Sequence, residues 1–198
     1  PAKIFCIKTD FAESSGTHNT GVANMVDWAL KEMDILTEAQ KSDPVARTTV
    51  AGKPYLLFHK ATVDSQPVFI GKINLNTDKA AENTFGFQDG DESWEFLNNT
   101  SDMTLFKSAD FTSWQDNIEA RYPDGATDTT NAKRVWDWVV SCKGNIAKFK
   151  SEFDQYFDKD QIIFYALLTL ALGMTDQRAK NMFLTRIGGQ QWLFIFYD

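Results

Sequence analysis

The chain has 198 residues, 43% hydrophobic and 24% charged, which is enough for one domain or two small lobes around an ample core, with no low-complexity tract or internal repeat. A net charge of −7 argues against broad contact with nucleic acid or an anionic membrane, and no apolar run reaches the roughly 20 residues of a membrane span. Two cysteines and two histidines make no metal-ligand cluster, Cys6 and Cys142 read as buried thiols, and sixteen Phe with six Trp imply an aromatic-rich core or a sticky surface.

From the front, KIFCIK (Lys3 to Lys8) alternates like a strand, and a polar loop runs from Thr9 to Gly21. A helix is expected over Val22 to Met33, with Val22, Met25, Val26, Ala29, Leu30 and Met33 on one face. Thr37 to Thr48 reads as a charged connector. Thr49 to His59 and Val68 to Leu75 read as antiparallel strands joined by VDSQP. The acidic stretch Asn76 to Ser93 reads as a crossing, which divides the chain into a sheet-plus-helix lobe (1–90) and a mainly helical lobe (91–198).

In the second part WEFLNN and MTLFKSADF are short apolar runs, expected as strands, and Phe111 to Ala120 suits a helix ended by Arg121-Tyr122-Pro123. Lys107 and Arg121 could meet phosphates, but surface charge is the reading preferred. Asn131 to Cys142 is amphipathic with Val135, Trp138 and Val139 inward, and Asn145 to Phe157 continues as a second helix. Ile162 to Leu172 is an unbroken apolar run, expected as a helix buried on most sides, with Asp158 and Gln161 at capping-box spacing. A polar loop, Gly173 to Lys180, leads to a hairpin: Met182 to Leu184, a turn at Gly188-Gly189, and Trp192 to Tyr197. The fold class is α+β, with a small antiparallel sheet plus helix first and a helical part ending in a hairpin behind.

Three polar residues are framed by this last apolar material. Asp176 and Asn181 lie five apart in the loop, and Asp198 follows the hairpin. Protein kinases use this order: a catalytic-loop Asp takes the substrate proton, an Asn five residues later holds a metal, and an Asp after a short hairpin holds Mg²⁺ between phosphates. Lys3 or Lys8 on the first strand would then meet phosphate, with Glu32 as its helix partner. The plainer reading is a turn begun by Asp176, a cap at Asn181, a chain end at Asp198, and solvated charges at Lys8 and Glu32. Pro1 in place of Met, and an end on the apolar strand FIFYD, lead us to expect a piece of a longer chain.

The stretch FDQYFDKDQIIFYALLTLALGMTDQRAKNMFLTR, with GQQWLFIFYD behind it, resembles the carboxyl-terminal half of the spore coat protein H (CotH) kinase family: a helix, a D-x4-N loop before an aromatic strand, and a strand ending in an aromatic residue and Asp. KIFCIKTDFAESSGTHNTGVAN is similar to that family's strand, D-x-S-type turn and helix, and KPYLLFHKATVDSQPVFIGKINLN to its hairpin. The segments SSGTHNTG, FIGKINLN-x-DK, WEFLNNTSD, FKSADF and EARYPD also resemble CotH-like parts of large bacteriophage virion proteins.

The resemblance implies a two-lobed kinase-like fold with Mg²⁺ and ATP as cofactors. Asp176 would be the base, Asn181 and Asp198 the metal ligands, and Lys8 and Glu32 the nucleotide-side pair. The chain has no G-x-G-x-x-G loop, nor does that family. The family's second acidic position would lie beyond Asp198. Two functions follow. The first is a virion structural module, tail or capsid-associated, with weak or no catalysis and with other virion proteins, or further parts of the same chain, as partners. The second is an active Mg-ATP-dependent protein phosphotransferase of the bacterial cytoplasm or surface. A third class, a carbohydrate or host-surface binder, rests only on the Trp content.

Overall fold

The computed structural model describes residues 5–9, 18–80, 82–97, 115, 117–174, 177, 181–189 and 191–197. It is an α+β fold with two antiparallel sheets. The first sheet has the order β1-β3-β2, from Phe5–Lys8, Val68–Thr77 and Gly52–His59. The second has the order β5-β4-β6-β7, from Ile118–Tyr122, Glu92–Phe96, Met182–Arg186 and Trp192–Phe196. The helices are α1 (His18–Glu32), α2 (Glu38–Ser42), α3 (Glu82–Phe85), α4 (Thr130–Ser141), α5 (Ile146–Glu152), which runs on into a 3-10 turn over Phe153–Gln155, and α6 (Lys159–Ala171).

The inner strands of the second sheet, β4, β6 and β7, are buried on both faces, and β7 (WLFIF) is a continuous apolar run. Alternate side chains sort into two cores. Trp94 and Phe96 of β4, Met182 and Leu184 of β6, and Trp192 and Phe196 of β7 share one core with Val26 and Leu30 of α1, Val135 and Trp138 of α4, and Phe164 and Tyr165 of α6. Phe183, Leu193 and Ile195 face the other way, onto Ala39 of α2 and Phe85 of α3. Each fully buried side chain of this size stabilises the fold by about 1.5–3 kcal/mol. The helix α1 therefore packs into the same core as the second sheet.

The first sheet is different. Its hairpin, β2 with β3, is buried only at its root, where Asn74 and Asn76 lie inside. Further out, Leu56 (64% exposed), Phe58, Phe69 and Ile70 stand in solvent, and Phe58 touches Phe69 edge-on at 5.5 Å between ring centroids. The two sheets meet through the segment before β2. Phe196 N–H donates to Thr48 O, and Val50 N–H donates to Phe196 O, both at 3.0 Å.

Several expectations change. The helix expected over Phe111 to Ala120 gives way, at its described end, to strand β5, because Ile118 and Ala120 add a strand to the edge of β4. The run MTLFKSADF lies outside the described residues. The connector at Thr37 to Thr48 holds α2, whose start has a complete capping box between Thr37 and Gln40. The acidic crossing holds α3. On α1 the inward set is Ala23, Val26, Asp27 and Leu30, while Met25 and Met33 are exposed. Asp158 does cap α6 by accepting from Gln161 N–H at 3.1 Å. Gln161 does not complete the box, since the Asp158 N–H it would accept donates to Trp192 O at 2.9 Å, while the Gln161 amide N–H donates to Ile35 O. Nor is α6 buried on most sides: Ile163, Leu167 and Leu170 are exposed along one stripe. Both cysteines are free thiols, with Cys142 buried and Cys6 half-buried, its Sγ donating to Asp78 Oδ2 at 2.9 Å.

Gly52 is a point of close approach. A Cβ there would lie 2.0 Å from Asn76 Oδ1 and 3.0 Å from the Asn76 Cα, so a side chain would have to push backbone apart. Gly71, in the partner strand, has nothing within 4 Å of a built Cβ. Gly52→Ala should therefore cost about 1–3 kcal/mol by overpacking, and Gly71→Ala within about 0.5 kcal/mol of zero. Urea denaturation of the two variants checks this, and equal costs would remove the close-packing account.

Candidate functional site

A cleft of about 170 Å³ opens where α1 begins. Its walls are the first turns of α1 (His18, Asn19, Val22), the loop after α6 (Met174, Gln177) and the end of β7 (Tyr197). The loop turns away from α6 at Gly173, which has φ +65° and so a backbone that favours glycine. It enters β6 through Asn181, at φ +53°, a left-handed position that asparagine tolerates.

Of the residues singled out in the sequence, Asp176 and Asp198 lie outside the described residues, as does Lys3. Their described neighbours Gln177 and Tyr197 line the same cleft. Asn181 is described, half-buried, at the root of β6. Lys8 ends β1, with its Nζ donating to the Tyr197 hydroxyl at 3.2 Å and standing 4.7 Å from that ring's centroid. Thus β1 reaches the residue that precedes Asp198. Glu32 is the last residue of α1, exposed, and its carboxylate makes no ion pair among the described residues. Among those residues no group of three His, Cys, Asp or Glu could hold a metal ion.

The acid that α1 does bury is Asp27. It pairs with Arg47 and accepts from Thr49 Oγ1 at 3.1 Å. Burial pushes its pKa up from the ordinary aspartate value, against the pull of Arg47 and Thr49.

The residues missed in the sequence are Lys79 and Glu95. Glu95 sits in β4 with only 5% of its side chain exposed. Lys79 Nζ reaches it at 2.7 Å, and Arg121 Nε pairs with it from β5. Arg121, read as surface charge, is instead largely buried by this pair, and it also bridges Glu119 at 2.7 Å. Lys79 Nζ lies 5.5 Å from the centroid of the Tyr197 ring. Two ammonium groups, Lys8 and Lys79, therefore bear on one ring at the end of β7. The ring is stacked in turn on Phe183, 5.2 Å away. Nothing local in WEF marks Glu95: its need for a charged partner follows from the burial of β4 on both faces.

Removing that acid strands two cations. Glu95→Gln should cost about 3–5 kcal/mol, because Arg121 and Lys79 lose their buried counter-charge. Glu119→Gln, at a half-exposed site, should cost under about 1 kcal/mol. Equal losses in chemical denaturation would refute the buried-pair account. Asp27 gives a pH test. Its folded pKa is raised above the unfolded one, so folding takes up protons in the window just above the ordinary aspartate value. Its contribution is fully present below that window and is lost as pH rises through the folded pKa. Asp27→Asn should flatten this segment of the stability–pH curve, and an unchanged slope would sink the assignment. No family model matches the chain, and no curated protein and no solved structure matches it.

Proposed function

We propose that this chain is a two-lobed, kinase-like module of the CotH type, part of a bacteriophage virion structural protein, whose cleft binds Mg²⁺-nucleotide with weak or no turnover. The observation that carries the reading is that Gln177, next to Asp176, and Tyr197, next to Asp198, line one cleft, while Lys8 of the first strand reaches the Tyr197 hydroxyl. Those are the parts a phosphoryl-transfer site needs, since such sites act by positioning groups and offsetting charge.

The donor set suits the cofactor. Asp176, Asn181 and Asp198 offer the hard oxygen ligands that Mg²⁺ prefers, and Lys8 and Lys79 offer cations to phosphate oxygens. Asn181 and Asp198 would hold the metal, Asp176 would accept the substrate proton, and Lys8 would contact phosphate. When bound, Mg²⁺ neutralises charge between the phosphates. Glu32, exposed and without an ion pair among the described residues, would need to draw in to join Lys8. The volume of about 170 Å³ is below the roughly 300–1,000 Å³ usual for a ligand site, so a nucleotide would bind there only weakly or after the cleft widens. The structural role draws support from the hairpin, where Leu56, Phe58, Phe69 and Ile70 offer apolar surface for a sister virion protein or a further part of the same chain.

The second reading, an active protein phosphotransferase, is favoured by one observation. Lys79 is held by the buried Glu95 beside Tyr197, so a cation is already oriented at the end of β7.

Mg²⁺-ATP at about 100 times its Kd should stabilise the protein by about 2.7 kcal/mol, because a ligand that binds only the folded state raises its stability. A melting temperature indifferent to Mg²⁺-ATP would defeat the nucleotide reading. Lys8→Ala should weaken that shift without unfolding the chain, as its side chain lies at the surface of β1. Asp176→Ala should abolish any phosphate transfer, and persistent transfer in that variant would exclude Asp176 as the base.

A further inference from the structure

We infer that the outward face of the first sheet is where two copies of this chain pair, sheet on sheet, across a two-fold axis, a contact separate from the cleft and from any nucleotide. Side chains alternate across a strand, and directly paired residues share a face. Between β1 and β3 the pairs include Phe5 with Thr77 and Ile7 with Leu75. Between β2 and β3 they include Lys53 with Leu75, Tyr55 with Ile73 and Leu57 with Gly71. Phe5, Ile7, Leu75, Ile73, Tyr55 and Leu57 therefore stand on one face, and Cys6, Lys8, Asn74 and Asn76 on the other.

The polarity of this sheet is inverted. The face turned to the rest of the protein is polar. Asn74 and Asn76 are buried there, Cys6 Sγ donates to Asp78, and Lys8 Nζ donates to the Tyr197 hydroxyl. The face turned to solvent is apolar, with Ile7 66%, Phe5 52% and Tyr55 48% exposed. Among the described residues, no side chain of β1, β2 or β3 belongs to either hydrophobic core. An antiparallel sheet with one covered face ordinarily covers the apolar one and leaves the polar one in water. Here the reverse holds, so the apolar face calls for a covering layer.

Charge and area both suit a second copy as that layer. The chain carries a net charge of −7, yet the strand residues of this face include no acid. Its ionisable groups are Lys53 and His59, both on the edge strand β2, so Lys53 can hold its ammonium in water at the rim. An isologous contact sets each patch against its own copy, and like charges at its centre would repel. This centre has none. With Val68 at the hairpin end, the outward side chains expose an area close to the ~800 Å² that each partner gives a standard interface. Two such faces, stacked with their strands within about 30° of each other, form a β-sandwich.

The test is sedimentation of the whole 198-residue chain from about 1 μM to about 1 mM, the range in which a contact of ordinary affinity dissociates. Wild type should be a dimer that separates on dilution. Ile7→Lys and Tyr55→Lys each put a like charge on both halves of the contact and should weaken the dimer at least tenfold. Leu56→Lys, on the same strand but the opposite face, should leave the dimer unchanged and controls for the added charge. Wild type that stays monomeric at the highest concentration overturns the inference and assigns the face to another protein or to another part of the chain. A dimer equally tight in folded Ile7→Lys and Tyr55→Lys overturns it by placing the contact elsewhere. Loss of the dimer in Leu56→Lys overturns the choice of face, and assemblies larger than a dimer overturn the two-fold. If a lysine variant does not fold, Ile7→Thr and Tyr55→Thr replace the pair, since threonine keeps the strand preference, and the same outcomes decide.

Discussion

The molecule depends on what happens at Phe196. Its carbonyl and amide both pair with the chain segment Thr48 to Val50, on the edge of β7 away from β6. An edge strand presents unpaired donors and acceptors that must be satisfied somehow. Here they are satisfied by the segment that runs straight on into β2 and the first sheet. The same bonds therefore close the second sheet, join the two sheets, and fix the last described turn of chain before Asp198. Thr48 and Thr49 are fully buried at this junction, so the pairing is shielded from competing water. The other end of β7 is closed in the same manner, by Trp192 N–H donating to Tyr156 O at 2.7 Å and Asp158 N–H donating to Trp192 O at 2.9 Å. Those bonds bring the cap of α6 to the start of β7, so the helix whose carboxyl end opens the cleft is itself positioned by that strand.

Charge follows from this closure. On the strands of the second sheet that are buried on both faces, a charged side chain must be neutralised inside. Glu95 points to the face that holds Phe183, and there it takes Lys79 and Arg121. The result sets a buried anion between two cations within reach of the Tyr197 ring. Lys8 arrives from the other sheet to the same ring. The cationic character around the end of β7 is thus a product of packing, on a chain whose overall charge is −7.

Much of the architecture was legible in the sequence because period and punctuation agree. The strands of the hairpin at Gly52–His59 and Val68–Thr77, the helix Thr130–Ser141, and the terminal hairpin around Gly188 follow from alternation, amphipathic spacing and turn glycines. The reading failed where long-range pairing overrides local preference. IEARY becomes a strand only because β4 offers an edge, and no local pattern announces it. The exposed leucines of α6 show a related limit: an apolar run fixes that a helix forms, not how much of it is covered. In the candidate site, the start of the loop after α6 and the strand β7 were legible from the polar residues that follow the apolar run Ile162 to Leu172 and from the apolar run Trp192 to Tyr197. Lys79, Glu95 and Gln177 were not, since their roles arise from residues 16 to 26 positions away or from a single amide turned inward.

The two regions that carry the functional reading also differ in how they are held. The end of β7 is fixed by backbone bonds, ring stacking and a buried side-chain link, all of which resist displacement. The outer part of the β2–β3 hairpin is held by cross-strand pairing alone, with its apolar side chains in water on both sides. A two-stranded ribbon of this kind is marginal by itself, and it gains order from β3 continuing inward to pair with β1. The inner end of β3 is thereby anchored near Asn76 while the outer end stays open to contact. A partner covering the outer hairpin would bury apolar area without touching the cleft walls. In this fold, then, a docking role at the hairpin and a ligand role at the end of β7 make separate physical demands, and neither has to be given up for the other.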